Sequence, residues 1–219
     1  MLVLVKKLLT SSQKTIKSFL WMSIIGLTGG IGSGKTFISK IFNSNNIFVI
    51  FDSDLCAKQI MEHNIDVIDM VKDKIGKKSY VDGFIQTKFI SEVIFNDKKK
   101  LNELNKIVHP KILEELKKFK YNNLNKIIII ESAILFETGI YLQNDYNILV
   151  KAPVKDRINR VINRDKISKA DVLKRINSQW SDSKKMDLAD IVIDNIDKLE
   201  TEKIVKQLII DLISRYEKN

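Results

Sequence analysis

Residues 24–42, IIGLTGGIGSGKTFISKIF, limit what this chain can fold into more tightly than any other stretch. The run from Gly29 to Thr36 satisfies G-x-x-x-x-G-K-[ST] and stands between a strand-like apolar run and a helix-like segment, the context this pattern needs to cradle phosphate. The glycine distribution agrees. The chain has eight glycines in 219 residues, and five of them (Gly26, Gly29, Gly30, Gly32 and Gly34) fall within nine positions, so the loop has a backbone requirement that side chains cannot meet. In such a loop consecutive N–H groups turn into one concavity and the following helix adds its positive end. Lys35 sets a cation beside the β- and γ-phosphates, and the Thr36 hydroxyl is placed to ligate Mg²⁺. This P-loop predicts nucleoside triphosphate binding through Gly30, Ile31, Gly32, Ser33, Gly34, Lys35, Thr36 and Phe37.

Four runs rich in Ile, Val and Phe have the length and continuity of strands buried on both faces of a parallel sheet: SIIGLT at 23, IFVIF at 47, KIIIIES at 126 and YNILVKA at 146. DIVIDN at 190 makes a fifth. Helical segments separate them, so the expected fold is α/β, a doubly wound five-stranded parallel sheet, with a long helical insertion before the third strand. Residues 61–125 carry little strand signal. In KKKLNELNKIVHPKILEELKKF the residues Leu101, Leu104, Ile107 and Val108 share a helical face, and Pro110 then suggests two helices broken at His109-Pro110. SKAD at 168 has the spacing of a capping box, which predicts a helix from Ser168 to about Gln179.

Composition sets the frame. A content of 44% hydrophobic residues supports a sizeable core, and the single cysteine, Cys56, excludes an internal disulfide and a multi-cysteine zinc site and suits the cytoplasm. The formal charge of +10 would suit nucleic acid or an anionic membrane, but the lysines are scattered through helix-like segments and no aromatic-basic interleaving accompanies them. Four lysines lie in the first 21 residues, which contain no acid. That stretch lacks a charged n-region and a small-residue cleavage pattern, and its apolar runs are too short to span a bilayer. Residues 1–22 therefore read as an extension outside the fold or an upstream misassigned start, with a short surface helix as the other reading. Neither nucleic acid nor a membrane is an expected partner.

What the loop does with its nucleotide depends on the residues around it. A switch GTPase needs N-K-x-D after a strand; NKII at 125 lacks the aspartate, and DKIG at 73 lies in the helical region. A motor ATPase usually has adjacent acids at a strand end, whereas IIIIES ends in Glu131 alone. The second strand runs into Asp52 and Asp54, which share a face if the segment is extended. A carboxylate at that sheet edge can take a proton from an attacking hydroxyl or position magnesium; the plainer reading makes Asp54 the cap of the next helix. Arginine is rare, five residues against 32 lysines, yet Arg157, Arg160, Arg164 and Arg175 crowd into 19 positions. Arg157, Arg160 and Arg164 align on one helical face, as a lid closing over a transferring phosphoryl group would require, although a solvated face has the same spacing.

Taken in order, IGLTGGIGSGKT at 25, DSDLCAKQI at 52, DGFIQTKFISEVIF at 82, LNKIVHPKI at 104, ILFETG at 134, RVINRD at 160, RINSQ at 175 and LADIVIDN at 188 resemble the dephospho-coenzyme A kinase family over about residues 23–212. The resemblance implies a P-loop NTPase fold of nucleoside/nucleotide kinase type. It also implies ATP-dependent phosphorylation of the ribose 3′-hydroxyl of dephospho-CoA with Mg²⁺, giving CoA and ADP in the final step of coenzyme A biosynthesis. One domain is expected over 23–219, with a core at 23–60, 126–150 and 186–219, an acceptor-binding helical insertion at 61–125 and a helical lid at 151–185. By the same resemblance Asp54 is the base, Lys35, Arg160 and Arg164 stabilise the migrating phosphoryl group, and Thr36 serves the metal. Asp52, Asp54, Lys58, Lys88 and His109 bind the acceptor. The partners are ATP and dephospho-CoA, and the expected state is a monomer or weak homo-oligomer.

Four positions depart from the family pattern. Phe37 stands where a small hydroxyl residue often follows the loop, Lys58 and Lys88 stand where arginine is usual, and Ala133 replaces a proline. Lysine keeps the charge and loses the fork. Two other functions stay open on the motifs alone: a kinase for another nucleotide-like or small hydroxyl acceptor, and an ATP-dependent nucleic-acid module, which would bind DNA or RNA in a salt-sensitive way.

Overall fold

The computed structural model describes residues 24–216, so the expectation for residues 1–22 lies outside the described residues. In chain order the elements are β1 (Ile24–Thr28), α1 (Lys35–Asn43), β2 (Phe48–Asp52), α2 (Ser53–His63), α3 (Ile65–Lys74), β3 (Tyr80–Val81), β4 (Phe84–Ile85), α4 (Thr87–Asn96) and α5 (Lys98–Tyr121). They continue with β5 (Ile127–Glu131), β6 (Tyr146–Lys151), α6 (Val154–Asp165), α7 (Lys169–Asn177), α8 (Asp182–Met186), β7 (Ile191–Asp194) and α9 (Lys198–Tyr216).

All five expected strands form one parallel sheet in the order β2-β5-β1-β6-β7. The central strand β1 pairs with β5 on one side, Gly26 opposite Ile130, and with β6 on the other, Gly26 opposite Asn147. Every residue of β1 and β5 is buried, as a parallel sheet covered on both faces requires. Because β2 and β5 lie to one side of β1 and β6 and β7 to the other, the chain reverses its winding at β1. The segment after β1 therefore sits at the switch point where α/β sheets bind ligands.

The main core joins β1, β5, β6 and β7 to α1 and α9. Ile25, Leu27, Ile129, Ile148 and Val150 from the sheet meet Ile38 and Phe42 from α1 and Val205, Ile209 and Leu212 from α9. Ile38 and Phe42 are four residues apart, one turn of the same helical stripe, and both are fully buried. Phe42 packs edge to face on Phe48 of β2, with ring centroids 5.1 Å apart, and each buried aromatic contributes about 1.5–3 kcal/mol. This packing fixes α1, and with it the phosphate loop that begins the helix. Ser168 accepts from the Asp171 N–H and caps α7 as expected, and α6 and α7 enclose a small core of Ile158, Val161 and Val172.

The chain divides into two compact units, one of residues up to Phe51 with those from Asn122 onward, the other Asp52–Tyr121. The second has its own core, including Ile60, Val67, Val71, Ile90, Leu104, Val108, Ile112 and Leu116. One expectation fails there. Pro110 does not separate two helices: α5 runs unbroken from Lys98 to Tyr121 with the proline inside it. Proline removes one N–H donor and strains one turn, but the buried stripe of Leu104, Ile107 and Val108 resumes at Ile112 and Leu116, and packing on both sides outweighs the local cost of about 3 kcal/mol. The unit also contains one short hairpin. Asp82 and Gly83, with φ of 51° and 83°, form a hairpin turn between β3 and β4, and Asp-Gly flanked by Val81 and Phe84 was the signal for it.

Candidate active site

The phosphate loop leaves the end of β1 and enters α1 through Gly34, whose φ of 102° is a left-handed conformation. A Cβ there would fall 2.0 Å from Asn195 Nδ2, and a Cβ on Gly32, whose φ is 78°, would fall 2.5 Å from the Arg157 carbonyl oxygen, so both positions require glycine. The first turn of α1 contains no acidic residue, which leaves the positive end of the helix uncompensated for an anion.

The carbonyls from Gly29 to Ser33 are all engaged by the protein. Lys35 Nζ donates to Gly29 O at 3.0 Å and the Ser33 N–H to Gly30 O at 3.0 Å. Arg157 Nε donates to Ile31 O at 2.9 Å, Arg160 Nη1 to Gly32 O at 3.4 Å and to Ser33 O at 3.3 Å, and Asn195 Nδ2 to Ser33 O at 2.8 Å. Arg160 Nη2 closes the set on Asn195 O at 3.0 Å. With its acceptors occupied by protein donors, the loop has backbone N–H groups to offer a ligand, the polarity an oligophosphate needs. Thr28 Oγ1 and Ser33 Oγ, both buried, have no hydrogen-bond partner among the described residues, and such orphaned hydroxyls beside a nest of amides fit a phosphate ligand.

Thr36 Oγ1 donates to Glu131 Oε1 at 2.9 Å. Glu131 ends β5, the neighbour of β1, and is 6% exposed, so the sheet order brings its carboxylate to the start of α1. Among the described residues no group of three or more His, Cys, Asp or Glu is assembled for a metal. A hydroxyl and a carboxylate are hard oxygen donors, and that pair matches the way Mg²⁺ is held beside nucleotide phosphates, by one or two protein oxygens.

The arginines divide by role. Arg157 is buried and its Nη1 also pairs with Asp182 at 3.3 Å. Arg160 lies against the loop, while the exposed Arg164 is held by its neighbour Asp165 at 2.6 Å and 3.0 Å, and Arg175 reaches the same carboxylate at 3.5 Å. The Arg164 guanidinium, more than the Arg175 charge, holds the Asp165 carboxyl below the usual carboxylate range.

Asp52, Asp54, Lys58, Lys88 and His109 all belong to the second unit. Asp52, rather than Asp54, caps α2, accepting from the Leu55 N–H at 2.9 Å. Because the strand ends at Asp52 and the helix starts at Ser53, the two aspartates do not share an extended face; Asp54 lies exposed in the first helical turn. Lys58 Nζ lies 3.7 Å from Glu62, one turn along α2, and Lys88 is exposed in the first turn of α4. His109 is half-buried on α5, and burial lowers its pKa.

The family model for dephospho-CoA kinase matches residues 23–201. The chain belongs to the dephospho-CoA kinase family. A dephospho-CoA kinase of Fusobacterium nucleatum is 38% identical over 180 residues, which cover 81% of this chain and 91% of that one. A crystal structure of a Thermus thermophilus protein is similar with a TM-score of 0.76 at 27% identity, covering 87% of this chain and 98% of that one. A dephospho-CoA kinase from Campylobacter jejuni has a TM-score of 0.62 at 24% identity over 88% and 98% of the two chains, a likeness of fold.

Within this dephospho-CoA kinase fold, two of the four departures have a structural account. Ala133 O accepts from Lys185 Nζ at 2.9 Å, a bond that a proline carbonyl would also make. Phe37 packs against the main core, and Lys198 Nζ lies 5.2 Å from its ring centroid. Three residues around the loop were not expected there. Glu131 and Asn195 could have been found, since each stands at or just beyond the carboxyl end of a sheet strand, where ligand sites gather. Gln179, whose Oε1 accepts from the Ile31 N–H at 2.9 Å, carries no such signal, because its position depends on how α7 and α8 return to the loop.

Proposed function

We propose that this chain phosphorylates the ribose 3′-hydroxyl of dephospho-CoA with ATP, giving CoA and ADP, the last step of coenzyme A biosynthesis. The observation that carries this reading is the family match across residues 23–201, which takes in both the loop and the second unit. In-line phosphoryl transfer asks the protein mainly for positioning and charge neutralisation. Backbone amides between Gly30 and Thr36 hold the β- and γ-phosphates of ATP, apart from the N–H groups of Ile31 and Ser33, which the protein itself engages. Lys35, Arg160 and Arg164 offset the charge on the migrating group. Arg160 engages the loop carbonyls of Gly32 and Ser33 through Nη1 and Asn195 O through Nη2, so its Nε–H and second Nη2–H are the donors it offers to a phosphoryl oxygen. Asp54 takes the proton of the attacking hydroxyl as the new O–P bond forms and the bond to the leaving ADP breaks.

Thr36 and Glu131 are the residues that would hold Mg²⁺, which when bound would supply charge neutralisation to the phosphates of ATP. Asp52, Lys58, Lys88 and His109 join Asp54 in binding the acceptor. The segment 151–185 serves as the lid. We place the protein in the cytoplasm as a monomer or weak homo-oligomer; among the described residues no helix is long and apolar enough to cross a membrane.

The test is ADP release from Mg·ATP by the purified protein, with and without dephospho-CoA, with the product identified by mass. Acceptor-dependent ADP release with CoA formed is the expected result. ADP release that dephospho-CoA does not stimulate would reject this acceptor and leave the phosphate loop without its assigned reaction.

A further inference from the structure

Ile31 is held on three sides by one segment of chain. Its side chain packs against the small core formed by Ile158, Val161 and Val172 of α6 and α7. Its carbonyl accepts from Arg157 Nε at 2.9 Å, and its N–H donates to Gln179 Oε1 at 2.9 Å. Both polar groups of this residue, at the third position of the phosphate-loop motif, are therefore satisfied by side chains from outside the loop.

Those side chains are themselves fixed. Arg157 is buried and paired with Asp182. Next to Gln179, the Trp180 N–H donates to Glu137 Oε1 at 2.9 Å, and Glu137 pairs at 3.0 Å with Lys185, which is wholly buried and also donates to Ala133 O. Gln179 thus reaches the loop from a backbone anchored to the turn that follows β5.

We propose that Gln179 is a positioning residue for the nucleotide, clamping the Ile31 peptide together with Arg157 so that the amides of Gly32 and of Gly34 to Thr36 face the β- and γ-phosphates. This rests on the reading of the loop as the ATP site and adds a residue that the motif does not contain. Loss of the Gln179 acceptor frees the Ile31 N–H, and the loop then samples orientations in which its amides turn away from phosphate. The physical consequence is weaker nucleotide binding with little change in acceptor binding.

The experiment compares the wild-type full chain with Gln179→Met, which keeps length and removes the acceptor, and Gln179→Glu, which keeps an acceptor oxygen. Mg·ADP affinity is measured by calorimetry, and KM for ATP and for dephospho-CoA by ADP release. The expected result for Gln179→Met is a loss of about tenfold in ADP affinity and a matching rise in KM for ATP, with KM for dephospho-CoA within about twofold, the scale of a small misplacement in a positioned site. Gln179→Glu is expected to bind ADP more tightly than Gln179→Met despite its added negative charge. Unchanged ADP affinity in Gln179→Met, equal rises in both KM values, or weaker binding by Gln179→Glu than by Gln179→Met would each overturn the clamp. A wild-type protein that does not bind Mg·ADP would instead overturn the donor-site reading, and one that binds ADP without phosphorylating dephospho-CoA would overturn the acceptor alone.

Discussion

The hydroxyl of Thr36 donates to the buried carboxylate of Glu131 at 2.9 Å, tying the first turn of α1 to the end of β5. The motif supplies the first of these residues and the sheet order supplies the second. Glu131→Gln keeps the shape and the hydrogen bond while removing the charge that would draw Mg²⁺ to this edge. Its expected effect is a rise of about 10–100-fold in the Mg²⁺ concentration needed for half-maximal turnover, the usual range for a group that supports a metal ligand. A magnesium titration of the initial rate checks it, and an unchanged midpoint would remove Glu131 from the metal's environment.

Asp54→Asn isolates the proton transfer. The residue is exposed in the first turn of α2 and Asp52 does the capping, so the substitution leaves the capping bond in place. Turnover is expected to fall by about 10²-fold or more, the scale of a lost general base, with ATP affinity nearly unchanged. Single-turnover rates measured alongside nucleotide binding separate the two effects, and retained turnover would take the base role from Asp54.

Lys185 is fully buried and its ammonium lies 3.0 Å from Glu137 Oε1. Removing one member of such a pair leaves a buried charge without compensation. Lys185→Met is expected to cost about 3–5 kcal/mol in unfolding free energy, while the double variant Lys185→Met with Glu137→Leu is expected to cost less than the single one. Urea unfolding of the three proteins at one pH decides this, and a double variant that is less stable than Lys185→Met would contradict it.

His109 gives the second unit a pH dependence of defined sign. Burial lowers its pKa in the folded chain, so the unfolded chain binds a proton first as pH falls. Stability from this residue is fully present above the ordinary histidine pKa of about 6.5 and declines as pH drops from there towards the lower folded value. His109→Gln is expected to flatten that part of the stability curve. Urea midpoints between pH 7.5 and 5 for both proteins would show it, and parallel curves would mean that His109 protonates with equal ease in both states.

The contrast between what was legible and what was not follows particular residues. The five strands were legible because buried parallel strands are continuous apolar runs, and the Ser168 cap because its partner is three residues away. The hairpin at Asp82-Gly83 is signalled by its turn residues alone, its two-residue strands being too short to show alternation. The break expected at Pro110 failed because the proline acts on one turn, while five buried side chains of α5 act along its length.

By itself the sequence determined the phosphate loop, the α/β class and the order of the motifs, all properties of residues close together in the chain, where local geometry and hydrophobic period act directly. Only the tertiary structure decided what surrounds the loop. Glu131, Arg157, Gln179 and Asn195 reach it across separations of 95 to 162 residues. Whether Arg160 holds the loop or stands free of it was equally open until the sheet order and the packing of α6 were known. The physical reason is that a side-chain contact over such distances is specified by the summed packing of every element between the two residues, and no local pattern records that sum.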